Sequence, residues 1–237
     1  MRILFISLCC AVTFCARAQT IVSRSYPVSS GQQVILKFDY PKVKVSTWDK
    51  SEVSVVARVS INNGENDSAF LLEEKESGGA IVISDRIKDM DKLPRRYTVV
   101  QGGKKTVFRS KEAYQSSGLG AAERYSEGTD MDITIEVKVP ASCKTDINAV
   151  YGIVELIGFN APVTIDATYG GIDATLAPAR TGKLQATTSY GQIYSNLDLK
   201  LTDHSEHDFF NSITAQPGKG PAYSFTSTYG KIYLRKP

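Results

Sequence analysis

Cysteine, histidine and tryptophan are scarce in this sequence: 237 residues hold four cysteines, two histidines and one tryptophan. Three of the cysteines, Cys9, Cys10 and Cys15, lie in or beside the apolar run from Ile3 to Phe14. Arg2 precedes that run and Ala16-Arg17-Ala18 follows it, the layout of a secretory signal peptide cleaved after Ala18. The run is too short to span a bilayer. Thr13-Phe14 ahead of Cys15 argues against a lipidated cysteine. Cleavage leaves Cys143 alone, so no intrachain disulfide can brace the exported chain. Cys143 could serve as a nucleophile, but a lone cysteine filling apolar space is the plainer reading.

Charge of one sign is also lacking. The formal net charge is +3, and loss of Arg2 and Arg17 leaves +1. That balance gives no push toward nucleic acid. No later apolar run is long enough for a membrane span. There is no Gly-x-Ser-x-Gly elbow, no phosphate-binding loop and no His-Glu-x-x-His pair. Neither catalysis nor a cofactor is expected.

What the sequence does have is a repeat. Tyr151-Gly152-Ile153-Val154 returns as Tyr169-Gly170-Gly171-Ile172, Tyr190-Gly191-Gln192-Ile193 and Tyr229-Gly230-Lys231-Ile232. Six, four and two residues before each tyrosine the positions are apolar or small: Thr145, Val163, Leu184 and Tyr223; Ile147, Ile165, Ala186 and Phe225; Ala149, Ala167, Thr188 and Ser227. A spacing of two places them on one strand face. Three before the tyrosine stand Asn148, Asp166, Thr187 and Thr226, a polar opposite face.

After the tyrosine the apolar set moves to odd offsets, at Val154, Ile172, Ile193 and Ile232. One residue has therefore been inserted at Tyr-Gly-x, marking a corner where glycine permits positive φ or close backbone approach. Phe210-Asn211-Ser212-Ile213 fits the same frame, with Asn in the glycine slot because it tolerates the left-handed region. Tyr40-Pro41-Lys42-Val43 reads as a divergent first copy. The spacing predicts an all-β β-solenoid, a single-stranded parallel β-helix-like roll with coils of about 20 residues.

Upstream, residues 33–86 alternate with period two, with strands expected at 33–45, 53–61 and 80–84 and an ambiguous stretch at 69–76. Residues 87–128 are the least regular and read as an insertion. It contains a hairpin of 97–100 with 106–109 around Gly102-Gly103, then a loop at 116–120. Its charges are mixed: Arg95, Arg96, Lys104, Lys105, Arg109 and Lys111 against Asp89, Asp91 and Glu112. They make either a solvated face or a small basic face for an acidic glycan or lipid head group. Met131 to Val139 alternates again and leads into the repeat. The expected organisation is one domain over 19–237, comprising 33–86, the insertion, and the coils of 130–237.

Val43-Lys44-Val45-Ser46-Thr47-Trp48-Asp49-Lys50-Ser51-Glu52-Val53-Ser54-Val55 resembles the opening of the putative-adhesin β-strand-repeat family, a bacterial envelope domain. Ile133-Thr134-Ile135-Glu136-Val137-Lys138-Val139-Pro140 is similar to that family's later strand, and Tyr-Gly-x-Ile to its coils. The resemblance implies a β-solenoid and an exported location, in the periplasm, outer envelope or extracellular space. It implies no catalytic residues.

Three sets of residues could carry chemistry. Tyr151, Tyr169, Tyr190 and Tyr229 would stand in a column, with Asp166 and Thr187 in the polar ladder beside it. The column is either structural reinforcement, the preferred reading, or a strip on which pyranose faces stack. His204 and His207, three apart among carboxylates, are a weak candidate metal pair; a polar loop is the plainer reading. Asp166 and Asp173 could pair as in glycosidases. The chain is thus expected to be a non-catalytic exported surface protein, an adhesin or scaffold for an envelope or host glycan or another surface protein. Its rivals are a β-helical carbohydrate-active enzyme and a purely architectural envelope protein.

Overall fold

The computed structural model describes residues 19–237; the expected signal peptide lies outside them. The first strands are β1 (Thr20–Pro27), β2 (Gln33–Phe38), β3 (Lys42–Trp48), β4 (Glu52–Ile61), β5 (Phe70–Ser77) and β6 (Ala80–Ile87). The insertion contains β7 (Arg96–Gln101), β8 (Lys104–Phe108), the short helix α1 (Lys111–Gln115) and β9 (Arg124–Gly128). Then come β10 (Met131–Pro140), β11 (Thr145–Ala149), β12 (Val154–Ile157), β13 (Val163–Ala167), β14 (Ile172–Thr175), β15 (Leu184–Thr188) and β16 (Ile193–Ser195). The chain closes with β17 (Leu201–His207), β18 (Phe210–Ala215), β19 (Tyr223–Ser227) and β20 (Ile232–Arg235). The fold is all-β. The stretch at 69–76, ambiguous by pattern, is the edge strand β5.

Two large open sheets hold the core. One runs β1-β4-β10-β3-β12-β14-β20-β16, the other β17-β18-β15-β19-β13-β11-β2-β6-β5. Each Tyr-Gly corner carries the chain from the second sheet to the first. Residues at the inward positions, among them Ile147, Ile165, Phe225, Leu156 and Ile232, are at most 1% exposed and join one hydrophobic cluster. Alternating apolar and polar residues thus bury one face of each strand and wet the other.

The order of the layers corrects the expected solenoid. Coils do not stack in chain order. The last unit, β19 and β20, lies between the second and third: β19 pairs in parallel with both β13 and β15, and β20 with both β14 and β16. Packing explains the fit. Phe225 sits in register with Ile165 on one side and Ala186 on the other, so a small neighbour makes room for the large ring in a close-packed interior.

The Phe210 unit is a second correction. β18 runs antiparallel to β15 and forms a hairpin with β17. It is therefore not a coil. The left-handed residue is Phe209 (φ 61°), not Asn211; Asn211 is buried in the strand. The Tyr40 unit, in contrast, is a true first layer. β2 and β3 pair with β11 and β12, placing Leu36 beside Ile147 and Val43 beside Val154.

At the corners the glycines are required for space. None of Gly152, Gly170, Gly191 and Gly230 has a positive φ. A Cβ on Gly152 would strike the Pro41 carbonyl, on Gly170 that of Gly152, on Gly230 that of Gly170, and on Gly191 that of Gly230. These contacts reproduce the layer order independently of the strand pairing. Hydroxyls line the inside of the crowded corner: Ser227 Oγ donates to the Gly170 carbonyl (3.0 Å) and Thr188 Oγ1 to that of Gly230 (3.0 Å).

The insertion folds into its own three-stranded antiparallel sheet, β8-β7-β9. The expected hairpin forms, turning at Gly102 and Gly103, both with positive φ.

Candidate binding surface

The tyrosines of successive corners stack on the outside of the fold. The ring order is Tyr40, Tyr151, Tyr169, Tyr229, Tyr190, with centroids 5.6, 5.2, 5.0 and 5.0 Å apart and planes within 13° of parallel. Phe209, tilted by 41° at 5.4 Å from Tyr190, closes that end. Backbone bonds run the ladder through the corner itself: the Tyr151 amide donates to Asp39, Tyr169 to Val150, Tyr229 to Thr168 and Tyr190 to Thr228. Tyr151, Tyr169, Tyr190 and Tyr229 are 50–57% exposed.

Exposure alone does not make a sugar platform. Stacking on a pyranose uses the ring face, and in this column each inner face is covered by the next ring. What solvent meets is a row of ring edges and phenolic hydroxyls. A ligand stacking on faces would find only the column's ends, and Phe209 occupies one of them.

The polar ladder is continuous. In register across the second sheet stand Lys37, Asn148, Asp166, Thr226, Thr187 and Ser212. Asp166 is exposed, and Thr187 shares a 3.0 Å hydroxyl–hydroxyl hydrogen bond with Ser212. Each corner tyrosine follows its polar-row residue by three positions, just past the end of the same strand.

A second aromatic pair was not singled out by pattern as a surface. Tyr194 and Tyr233 stack at 5.2 Å on the outer face of the first sheet. Lys231 lies 5.7 Å over Tyr194 and Arg235 5.0 Å over Tyr233. Their signal was their position four residues after the corner tyrosine, which strand alternation places outward.

The other candidates do not assemble. His204 and His207 lie in β17, three apart, so alternation turns them to opposite faces. His204 Nε2 is 3.8 Å from Glu206 and His207 stacks on Phe210. Among the described residues no three His, Cys, Asp or Glu side chains gather as a metal site. Asp166 belongs to β13 and Asp173 to β14, in different sheets. Asp173 is held by the Arg235 guanidinium (2.6 Å), so the two carboxylates cannot flank one glycosidic bond. Cys143 is buried, and burial pushes its thiol up from its ordinary value, away from the reactive thiolate. Burial pushes the Asp85 carboxyl up to about 6. Its Oδ1 accepts from the Asp39 amide (2.9 Å), while the buried Oδ2 has no hydrogen-bond partner.

No family model and no curated protein matches the sequence. Similar solved structures include a putative cell adhesion protein from Clostridium sporogenes ATCC 15579, at TM-score 0.48 and 7% identity, covering 92% of this chain and 100% of that one. A putative adhesin from Parabacteroides distasonis ATCC 8503 has TM-score 0.29 and 10% identity, over 92% and 98% of the two chains. A putative lipid binding protein from the same strain has TM-score 0.24 and 9% identity, over 90% and 96%. Likeness at this level assigns neither a family nor a function.

Proposed function

We propose that this chain is an exported, non-catalytic envelope or surface domain, and that the tyrosine column with its polar row is the face it presents. The scaffold is a roll of parallel coils with one coil intercalated out of order. Export rests on the N-terminal segment of the sequence, which reads as a signal peptide. The observation that carries the reading is the exposed column itself, tyrosine rings whose centroids repeat every 5.0–5.6 Å beside Asn148, Asp166, Thr226 and Thr187. A repeating row of donors and acceptors suits an extended polymer with hydroxyls at a regular interval, such as an envelope or host glycan laid along the column. Recognition would come through ring edges and hydroxyls rather than stacked faces.

The test is a glycan-array and peptidoglycan pull-down with the protein and two double variants. Tyr169→Phe/Tyr190→Phe keeps the stack and removes two hydroxyls; Tyr169→Ala/Tyr190→Ala removes the rings. Binding lost in both variants supports the reading. Absence of binding to any envelope or host polymer defeats it. It would leave the purely architectural role, which the mutual covering of the ring faces favours. The separation of Asp166 from Asp173 gives a glycosidase no support.

A further inference from the structure

The insertion meets the main body at a cleft of about 560 Å³, whose lining includes none of the column tyrosines. Its lining includes Asn62, Asn63, Glu65, Arg96, Lys104, Lys105, Arg109 and Asp130. Four cations thus face two carboxylates. Glu65 bridges Arg96 (2.6 Å) and Arg109 (2.8 Å), and Asp130 holds Lys105. Lys104 is exposed and has no ion pair among the described residues. The Arg96 side chain is 9% exposed, so one of the positive charges sits in a partly desolvated wall where attraction for an anion is least screened.

The cleft is also built, not incidental. The Asn62 side chain accepts from the Asp130 amide (3.1 Å) and donates to the Pro94 carbonyl (2.9 Å) and Asn66 Oδ1 (2.7 Å). It pins both ends of the insertion to one turn. That turn holds three consecutive left-handed residues, Asn62, Asn63 and Gly64, with φ of 51°, 59° and 88°. Non-glycine residues persist in that region only where the surroundings enforce it, and such positions concentrate at functional sites. The two carboxylates, Glu65 shared by both arginines and Asp130 on Lys105, position the guanidinium and ammonium groups without neutralising them all.

We propose that this cleft binds the dianion of a phosphate or sulfate monoester, whose charge matches the two uncompensated cations. Arg96 and Arg109 offer N–H donors suited to oxyanion geometry, and Lys104 supplies a point charge at the rim. The monoester could be carried by a soluble sugar or by a lipid head group, and the test separates these sources.

Titration calorimetry of the purified protein with glucosamine 6-sulfate, glucose 6-phosphate and inorganic phosphate, with co-sedimentation on phosphatidic acid vesicles, gives the readout. Saturable binding that weakens as salt rises is expected for at least one probe. Lys104→Glu and Arg109→Gln should each weaken it by about tenfold or more. Binding of a sugar ester assigns a soluble ligand, and binding of vesicles alone assigns a lipid. Because Lys104 is exposed, Lys104→Glu should keep the wild-type melting temperature, so lost binding cannot be put down to unfolding. No saturable binding of any probe, or binding indifferent to both substitutions, overturns the proposal. The tyrosine variants should leave this binding unchanged, so its outcome is separable from that of the polymer-binding reading.

Discussion

The coils and the insertion use the same kinds of residue to opposite ends. In the coils, each tyrosine, glycine and hydroxyl meets its counterpart in the next layer: rings cover rings, glycines take carbonyls, and Ser227 and Thr188 close onto the adjacent backbone. Repetition makes polar and aromatic groups satisfy one another. The insertion has no repeat to satisfy it. Its Arg96, Arg109 and Lys105 depend on Glu65 and Asp130 from the edge of the main body, and Lys104 has no ion pair among the described residues. Regularity consumes interaction capacity in one region, and irregularity leaves it available in the other.

The sharpest way to break the comparison is at the glycines. Gly170→Ala drives a methyl group into the Gly152 carbonyl. Backbone cannot step aside as a side chain can, so a loss of about 5 kcal/mol or more is expected, comparable to the whole stability of a domain. Gly128→Ala, in β9 of the insertion, meets nothing within 4 Å and lacks a positive φ. It should shift stability by no more than about 0.5 kcal/mol. Urea denaturation followed by circular dichroism reads both. Equal effects at the two sites would remove the distinction between the regions.

Next in size is Phe225→Ala. Phe225 is fully buried in the intercalated unit between Ile165 and Ala186, so its removal should cost about 3–5 kcal/mol. A cost near that of an exposed site would mean that β19 is not a central strand.

A smaller effect depends on pH. Asp85, buried in β6, has its carboxyl pushed up to about 6 by burial. The fold therefore favours the neutral form more than the unfolded chain does. Its contribution is full below the ordinary carboxylate range and is lost as pH rises through about 6. Asp85→Asn keeps an acceptor for the Asp39 amide and cannot ionise. Relative to wild type it should gain about 2 kcal/mol at pH 8 and little at pH 3.5. Melting curves across that range check it; a constant difference would contradict the assignment.

Much of the strand pattern of this all-β fold was legible because its rules are local. Alternation set the inward faces of β11, β13, β15 and β19, and the parity shift at Tyr-Gly-x located the corners. Layer order was not legible, because strand pairing alone does not force neighbours in sequence to be neighbours in space. The clue was volumetric: Ala186 leaves a gap that Phe225 fills. The Phe210 unit misled because Asn211 fits a left-handed slot as readily as it fits a strand. At the candidate surface, sequence placed Asp166 and Thr187 on the polar face of their strands and Tyr151, Tyr169, Tyr190 and Tyr229 at the corners that follow the strands. It could not tell that ring faces would be spent on each other, because that depends on the plane of each ring. The cleft at the insertion joins Asn62 to Arg96 and Lys104 across more than thirty residues, a proximity that no local pattern encodes.

The most direct test of the account is the intercalated order itself. Introduce cysteine pairs at outward positions of the second sheet, where buried Cys143 does not compete. Asp166 and Thr226 are register partners, as are Thr226 and Thr187, at the strand spacing of about 4.8 Å that a disulfide can bridge. Asp166 and Thr187 are two strands apart, about 10 Å, beyond its reach. Under mild oxidation, Asp166→Cys/Thr226→Cys and Thr226→Cys/Thr187→Cys should cross-link within the monomer, and Asp166→Cys/Thr187→Cys should not. Ready cross-linking of the third pair, with failure of the first two, would mean that the coils stack in chain order and the account is wrong.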